Sequence, residues 1–366
     1  MDNITLILFI FGFVLLISGA ETLVRGASRL AVAAGISPLV VGLTVVAYGT
    51  SAPELAVTVQ ASFAGQTDIA IGNVVGSNIA NILLILGISA SVIPLAVSRQ
   101  LIRWDIPVMI SLSILMLLMG LDGKISRLDG IILFTGAVAY TILAIRQSRQ
   151  ETLAIITKST DLPPTATGKI KPQQMLYQLA LIVIGLGLLV LGSRWLVNGA
   201  VAVARLLGAS ELIIGLTIVA VGTSLPEIAT SIAAGIRGER DIAVGNAVGS
   251  NIFNILLVLG LCSIVAPNGV DVSIPALHFD IPVMIAVSIV CLPIFFTGYE
   301  IARWEGILFL GYYLAYVVYL LLNATHHRAL PAFSMIMLTF VVPITAITLL
   351  GLVIRAIRTN SRSSIA

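Results

Sequence analysis

The sequence predicts an all-α polytopic membrane protein, with ten core transmembrane helices forming two inverted five-helix repeats and an eleventh helix near the C-terminus. Three observations predict it. The 366 residues are 58% hydrophobic and only 10% charged, with a mean hydropathy of +1.08, whereas a water-soluble domain is about 25% charged. Apolar runs long enough to cross a bilayer recur along the whole chain. One long block of sequence occurs twice.

The runs lie near 4–20, 37–64, 69–93, 105–121, 130–145, 175–193, 210–236, 242–265, 281–297, 306–323 and 331–354. They are continuous rather than alternating, which predicts helices and not a β-barrel. The first follows Met1-Asp2-Asn3 with no basic flank, so it reads as a retained helix rather than a secretory signal. With the N-terminus outside, fifteen Lys and Arg fall on the inner side, including Arg25, Arg29, Arg99, Arg103, Arg237, Arg240 and Arg303. The outer side holds five: Lys124, Arg127, Arg194, Arg205 and Arg328. Positive charge collects inside, so the expected topology is N-terminus out and C-terminus cytoplasmic. The short loops favour a bacterial or archaeal plasma membrane.

A net charge of +3 is too small to suggest nucleic acid, and Cys262 and Cys291 sit in apolar runs that imply no disulfide framework. Residues 1–146 are expected to form the first repeat, 147–173 a flexible cytoplasmic linker, and 174–323 the second repeat. Residues 324–366 then supply the extra helix and a basic tail. His326-His327-Arg328 reads as a solvated loop, because two adjacent histidines do not build a metal site alone.

The duplicated block is the most informative feature. GTSAPELAVTVQASFAGQTDIAIGNVVGSNIANILLILG at 49–87 matches GTSLPEIATSIAAGIRGERDIAVGNAVGSNIFNILLVLG at 222–260 in 24 of 39 positions, at a constant offset of 173. Around it lie the wider repeat segments 37–93 and 210–265. Gly19, Leu23, Val24, Gly26 and Ala27 recur at the same offset as Gly192, Leu196, Val197, Gly199 and Ala200. Five helices is an odd number, so the second copy enters the membrane from the opposite face. That is the architecture of many secondary transporters.

The two blocks carry almost all the polar groups expected at membrane depth. Glu54 and Glu227 occupy matching positions, and carboxylates there are costly and usually functional. Thr50 and Ser51 precede Glu54 by four and three residues, as Thr223 and Ser224 precede Glu227, so a helix puts them on one face. Pro53 and Pro226 predict a local break, with carbonyls near Ala47 and Ala220 turned toward a cavity. On the next helices, Ser77 and Asn81, and Ser250 and Asn254, are spaced to share a face. Asn78 and Asn251 read as hydrogen bonds between helices. Asp105 and Asp280, two residues ahead of a proline, read as helix N-caps, and Asp68 and Asp241 start the third helix of each repeat. Carboxylate, hydroxyl, amide and carbonyl oxygens without thiolate or imidazole suit calcium and, by the same logic, sodium. Two carboxylates balance one divalent or a few monovalent cations, and competition for a shared site is the physical basis of exchange.

The pattern G-T-S-x-P-E followed by G-N-x-x-G-S-N-x-x-N, present twice, resembles the α-repeats of the cation/calcium exchanger superfamily, in particular prokaryotic sodium/calcium exchangers. The resemblance implies cations bound between the second, third, seventh and eighth helices, with the first and sixth sliding across them. Carried over, the ligands are Glu54, Glu227, Thr50, Thr223, Ser51, Ser224, Ser77, Ser250, Asn81 and Asn254, with the carbonyls of Ala47 and Ala220. Some prokaryotic members and the potassium-dependent branch carry an aspartate where this chain has Asn254, which argues against potassium co-transport. The expected partners are calcium, sodium and the lipid bilayer, with no cofactor, no enzymatic activity and a single chain as the working unit. Two rivals stand beside this reading. A proton-coupled calcium exchanger of the same superfamily would typically carry G-N-A-A-E in the third helix, and a cation channel would use similar oxygens without needing an inverted repeat.

Overall fold

The computed structural model describes residues 3–158, 172–206 and 220–363, and almost all of them are helical. The first repeat comprises α1 (Ile4–Ala34), α2 (Pro38–Thr50 and Ala52–Phe63, bent by 45°), α3 (Thr67–Val92), α4 (Leu101–Asp122) and α5 (Arg127–Gln150). The second comprises α6 (Gln173–Leu206), α7, described as Ala220–Thr223 and Leu225–Ile236, α8 (Arg240–Val265), α9 (Ala276–Phe296) and α10 (Arg303–Ala324). α11 (Leu330–Leu352) has no counterpart in either repeat. It rests on α10, where the Tyr312 hydroxyl donates to Thr345 Oγ1 at 2.6 Å and to the Val341 carbonyl at 3.3 Å. The protein is therefore a helical, multi-pass membrane protein. The 210–219 portion of the expected seventh span lies outside the described residues.

The inversion can be read from glycine contacts. A Cβ on Gly12 would sit 3.0 Å from the Gly192 carbonyl, and one on Gly19 would sit 2.9 Å from that of Gly185. Residue numbers rise along α1 as they fall along α6, so these two equivalent helices lie antiparallel with their backbones nearly touching. Small residues permit this approach in a bilayer, where packing rather than hydrophobicity joins helices. α3 and α8 are the most enclosed spans, 72% and 78% buried over their apolar windows, against 6% for α10 and α11. They form the centre, and the other helices screen them from lipid. Two short antiparallel pairs, Leu95–Ala96 with Glu300–Ile301 and Lys124–Ile125 with Val270–Asp271, tie the repeats together at their ends.

Two expectations need correction. Asp105 and Asp280 do not cap α4 and α9. Each falls within a continuous helical turn, with φ, ψ of −74°, −39° and −68°, −45°, so no cap position exists there. Tyr140 of α5 and Tyr316 of α10 donate to them instead, at 2.9 and 3.0 Å. Within the stretch expected as a linker, the helix of α5 runs on to Lys158 and α6 starts from Pro172, so those ends are helical rather than extended. Residues 159–171 lie outside the described residues. His326 and His327 do sit in an exposed turn between α10 and α11.

Candidate cation site

The site forms where α2 and α7 break against α3 and α8. Ser51 and Ser224 leave the helix with ψ near 5°, and Pro53 and Pro226 occupy the first turn of the segments that follow. Proline is tolerated there because its missing N–H would have had no helical partner. Its absence leaves the carbonyls of Gly49 and Gly222, four residues back, without an amide from those positions. The Ala47 carbonyl is not freed by the break, since it accepts the Ser51 N–H at 3.0 Å. A carbonyl has a second lone pair, so that hydrogen bond leaves it able to face a cation. Ala220 opens the described part of α7.

The structure brings the predicted side chains together in the centre of the molecule. Thr50, Ser51, Glu54, Ser77 and Asn81 are buried, as are Ser224, Glu227, Ser250 and Asn254, while Thr223 is partly so. The Glu227 carboxyl lies within electrostatic reach of Glu54 and beside the hydroxyls of Thr50 and Ser51. No Lys or Arg occurs in α2, α3 or the Leu225–Ile236 segment, and in α8 Arg240 stands only at its start. An ionised carboxylate buried without a counter-charge is strongly unfavourable. The two charges therefore require cations from outside the chain, or protons.

Several polar atoms here have no hydrogen-bond partner although fully buried: Ser51 Oγ, Glu54 Oε2 and Asn81 Oδ1, and in the other repeat Ser224 Oγ, Glu227 Oε2, Ser250 Oγ and Asn254 Oδ1. Buried oxygens are normally paired, and six of these seven fall at matching positions of the two repeats, with Ser250 Oγ in addition. Among the described residues no group of three or more His, Cys, Asp or Glu is present. The donor set is therefore hard oxygen, suited to calcium or sodium and not to a thiophilic metal.

The amides that line the site are held by contacts the sequence did not reveal. Thr50 Oγ1 donates across the repeats to Asn246 Oδ1 at 3.1 Å, and Asn246 Nδ2 donates to Ser231 Oγ at 3.1 Å. Asn73 Nδ2 likewise donates to Thr58 Oγ1 at 2.8 Å and to the Glu54 carbonyl at 3.2 Å. Asn81 and Asn254 each begin a π-helical turn, Asn81–Leu86 and Asn254–Leu259, a distortion frequent at functional sites. The only sequence signal for Asn73 and Asn246 was their recurrence in both copies of the block.

With this geometry in view, residues 4–146 and 177–322 match the model of the sodium/calcium exchanger protein family. The chain belongs to that family. It is 32% identical over 349 residues to the sodium/calcium exchanger MaX1 of Methanosarcina acetivorans, covering 87% of this chain and 99% of that one. It is 38% identical over 285 residues to the inner membrane protein YrbG of Escherichia coli, covering 77% and 86% respectively. A solved structure of the sodium-calcium exchanger NCX_Mj, soaked with neither Na+ nor Ca2+, superposes with a TM-score of 0.74 at 32% identity, over 87% of this chain and 100% of that one. The chain is thus a member of an antiporter family and not of an enzyme family.

Proposed function

We propose that this antiporter exchanges sodium for calcium by presenting one site alternately to the two faces of the plasma membrane. One chain is the working unit, with its N-terminus outside and its C-terminus in the cytoplasm. The observation that carries the reading is the set of buried, unpartnered oxygens contributed in matching pairs by α2, α3, α7 and α8. Glu54 and Glu227 supply two negative charges, which neutralise one calcium or a small number of sodium ions but not both loads together. Ser51, Ser77, Asn81 and Thr50, with their counterparts Ser224, Ser250, Asn254 and Thr223, replace water around the ion, and the carbonyls of Ala47 and Ala220 complete the shell. The names of MaX1 and NCX_Mj, both sodium/calcium exchangers, support the choice of ions.

A second reading, proton/calcium exchange at the same site, is favoured by one feature: both charged ligands are carboxylates, which can carry protons. The discriminating experiment is uptake of radioactive calcium into proteoliposomes loaded with sodium, with choline-loaded vesicles as control and a pH gradient as a separate arm. Uptake that requires internal sodium supports the proposal. Uptake driven by the pH gradient alone transfers the function to proton coupling, and uptake indifferent to both gradients identifies a channel or another cargo.

A further inference from the structure

Asn81 and Asn254 can serve a cation only through their amide oxygens, since the other end of each amide is a donor that repels it. Something must therefore fix which end faces the cavity. Asn78 Nδ2 donates to the backbone carbonyl of Asn251 at 3.3 Å, and Asn251 Nδ2 donates to that of Asn78 at 3.2 Å. A carbonyl only accepts, so these contacts set the orientation of both amides. Each therefore turns its Oδ1 away from that carbonyl. Asn254 Nδ2 donates to Asn78 Oδ1 at 3.0 Å, and Asn81 Nδ2 donates to Asn251 Oδ1 at 2.9 Å. What remains is Oδ1 of Asn81 and of Asn254, and both of these amide oxygens are buried without a partner. Rotating either ligand amide by half a turn would set two acceptors against each other and aim an NH2 group into the site.

We infer that Asn78 and Asn251 are positioning residues that fix Asn254 and Asn81, crosswise between the repeats, with their amide oxygens directed at the cation. The relay is anchored on main-chain carbonyls at both ends, and the sulfurs of Met284 and Met109 lie 3.5 Å from Nδ2 of Asn78 and of Asn251 respectively. It gives the middle asparagine of each G-N-x-x-G-S-N-x-x-N segment a task distinct from joining helices. The inference rests on the cation site proposed above. Groups that orient metal ligands typically contribute about 10–100-fold in affinity.

The crosswise pairing makes the test specific. Calcium affinity is measured by titration of the purified full-length protein for Asn78→Ala, Asn254→Ala, Asn81→Ala and the double variants, with Glu54→Gln as reference. Asn78→Ala is expected to weaken calcium binding by about tenfold in the wild-type and Asn81→Ala backgrounds, and to have no further effect once Asn254 is alanine. The mirror cycle, Asn251→Ala with Asn81→Ala, is expected to behave in the same way. If Asn78→Ala costs the same affinity with or without Asn254, Asn78 is only a helix joint and the inference is overturned. Where an alanine variant does not purify as a monodisperse protein, Asn78→Ser and Asn251→Ser repeat the cycles under the same criterion. Retention of wild-type binding by Glu54→Gln overturns the cation site itself, which separates that failure from failure of the relay.

Discussion

Among single residues, Glu54 and Glu227 are the two carboxylates of the proposed site, and their equivalence by repeat makes a strict prediction. Glutamine keeps the shape and one acceptor oxygen but removes a unit charge. Losing one partner of a buried charge pair costs about 3–5 kcal/mol. Glu54→Gln and Glu227→Gln should therefore each weaken calcium binding by at least about a hundredfold, as read by equilibrium titration, and a variant with wild-type affinity would remove that residue from the site. Thr50 offers a milder test, because its hydroxyl both faces the site and donates to Asn246. Thr50→Val, nearly the same shape, should weaken binding by about tenfold, while Thr50→Ser should stay close to wild type. If valine and serine behave alike, the hydroxyl has no part in binding. The carboxylates were legible in the sequence because a charge inside an apolar run stands out against its neighbours. The division of labour among Asn73, Asn78 and Asn81 was not. Helical spacing says which face a side chain occupies but not which end of an amide it turns to its neighbour.

For whole helices, the apolar runs predicted the nine described spans and the bent α2, and the paired prolines predicted the breaks in α2 and in the described part of α7, because both signals are local. The supposed caps at Asp105 and Asp280 failed for a reason that is not local. The preceding turns, Leu101–Asp105 and Ala276–Asp280, are helical and run straight into α4 and α9, and the carboxyls are engaged by tyrosines more than thirty residues away. Tyr140→Phe removes the donor to a buried carboxyl and should cost about 1–3 kcal/mol, seen as a lower thermal midpoint in detergent; an unchanged midpoint would make the contact incidental. The α1–α6 pair offers a matched comparison of two glycines. A Cβ at Gly19 would sit 2.8 Å from the Leu189 amide and 2.9 Å from the Gly185 carbonyl, whereas one at Gly187 meets nothing within 4 Å. Alanine is better than glycine by up to about 1 kcal/mol in a helix, so Gly187→Ala should be neutral or stabilising. Gly19→Ala must push two backbones apart and should lower both thermal stability and exchange rate. Equal behaviour of the two variants would mean that the close approach does not matter.

Taken whole, the molecule is less symmetric than its sequence. On α2, Leu186 of α6 covers Gly49, so that a Cβ there would lie 2.5 Å from a leucine methyl. The equivalent arrangement would place Phe13 of α1 over Gly222, yet Phe13 is 49% exposed and it is Val197 of α6 that a Cβ on Gly222 would meet; a cleft of about 410 Å³ lies between Phe9, Phe13, Val197, Ala200, Gly222 and Leu225. The two repeats therefore cover these equivalent glycines with different side chains, and the cleft lies beside the N-terminal half of α1. Polar contacts of the C-terminal half of α1 are unequal between the repeats as well. Glu21 of α1 pairs with Arg237, and Ser28 donates to Glu239, both partners lying in the turn between α7 and α8. The equivalent positions in the other repeat are Arg194 with Ala64, and Val201 with Gln66, which offer neither an ion pair nor the same hydroxyl-to-carboxylate bond. Among the described residues these two contacts tie the C-terminal half of α1 to the α7–α8 turn and act as a latch against its movement. Glu21 is half exposed, so the pair is worth no more than about 1 kcal/mol, which corresponds to a shift of up to about fivefold between the two states. Glu21→Gln should raise the half-saturating calcium concentration on the N-terminal face of oriented vesicles and lower it on the opposite face. High salt should reduce the difference between variant and wild type, since exposed charges are screened. Gln66→Ala, at the position equivalent to Glu239, should change neither. A Glu21→Gln variant that alters both faces in the same direction would show that the contact tunes binding or folding and not the balance between states.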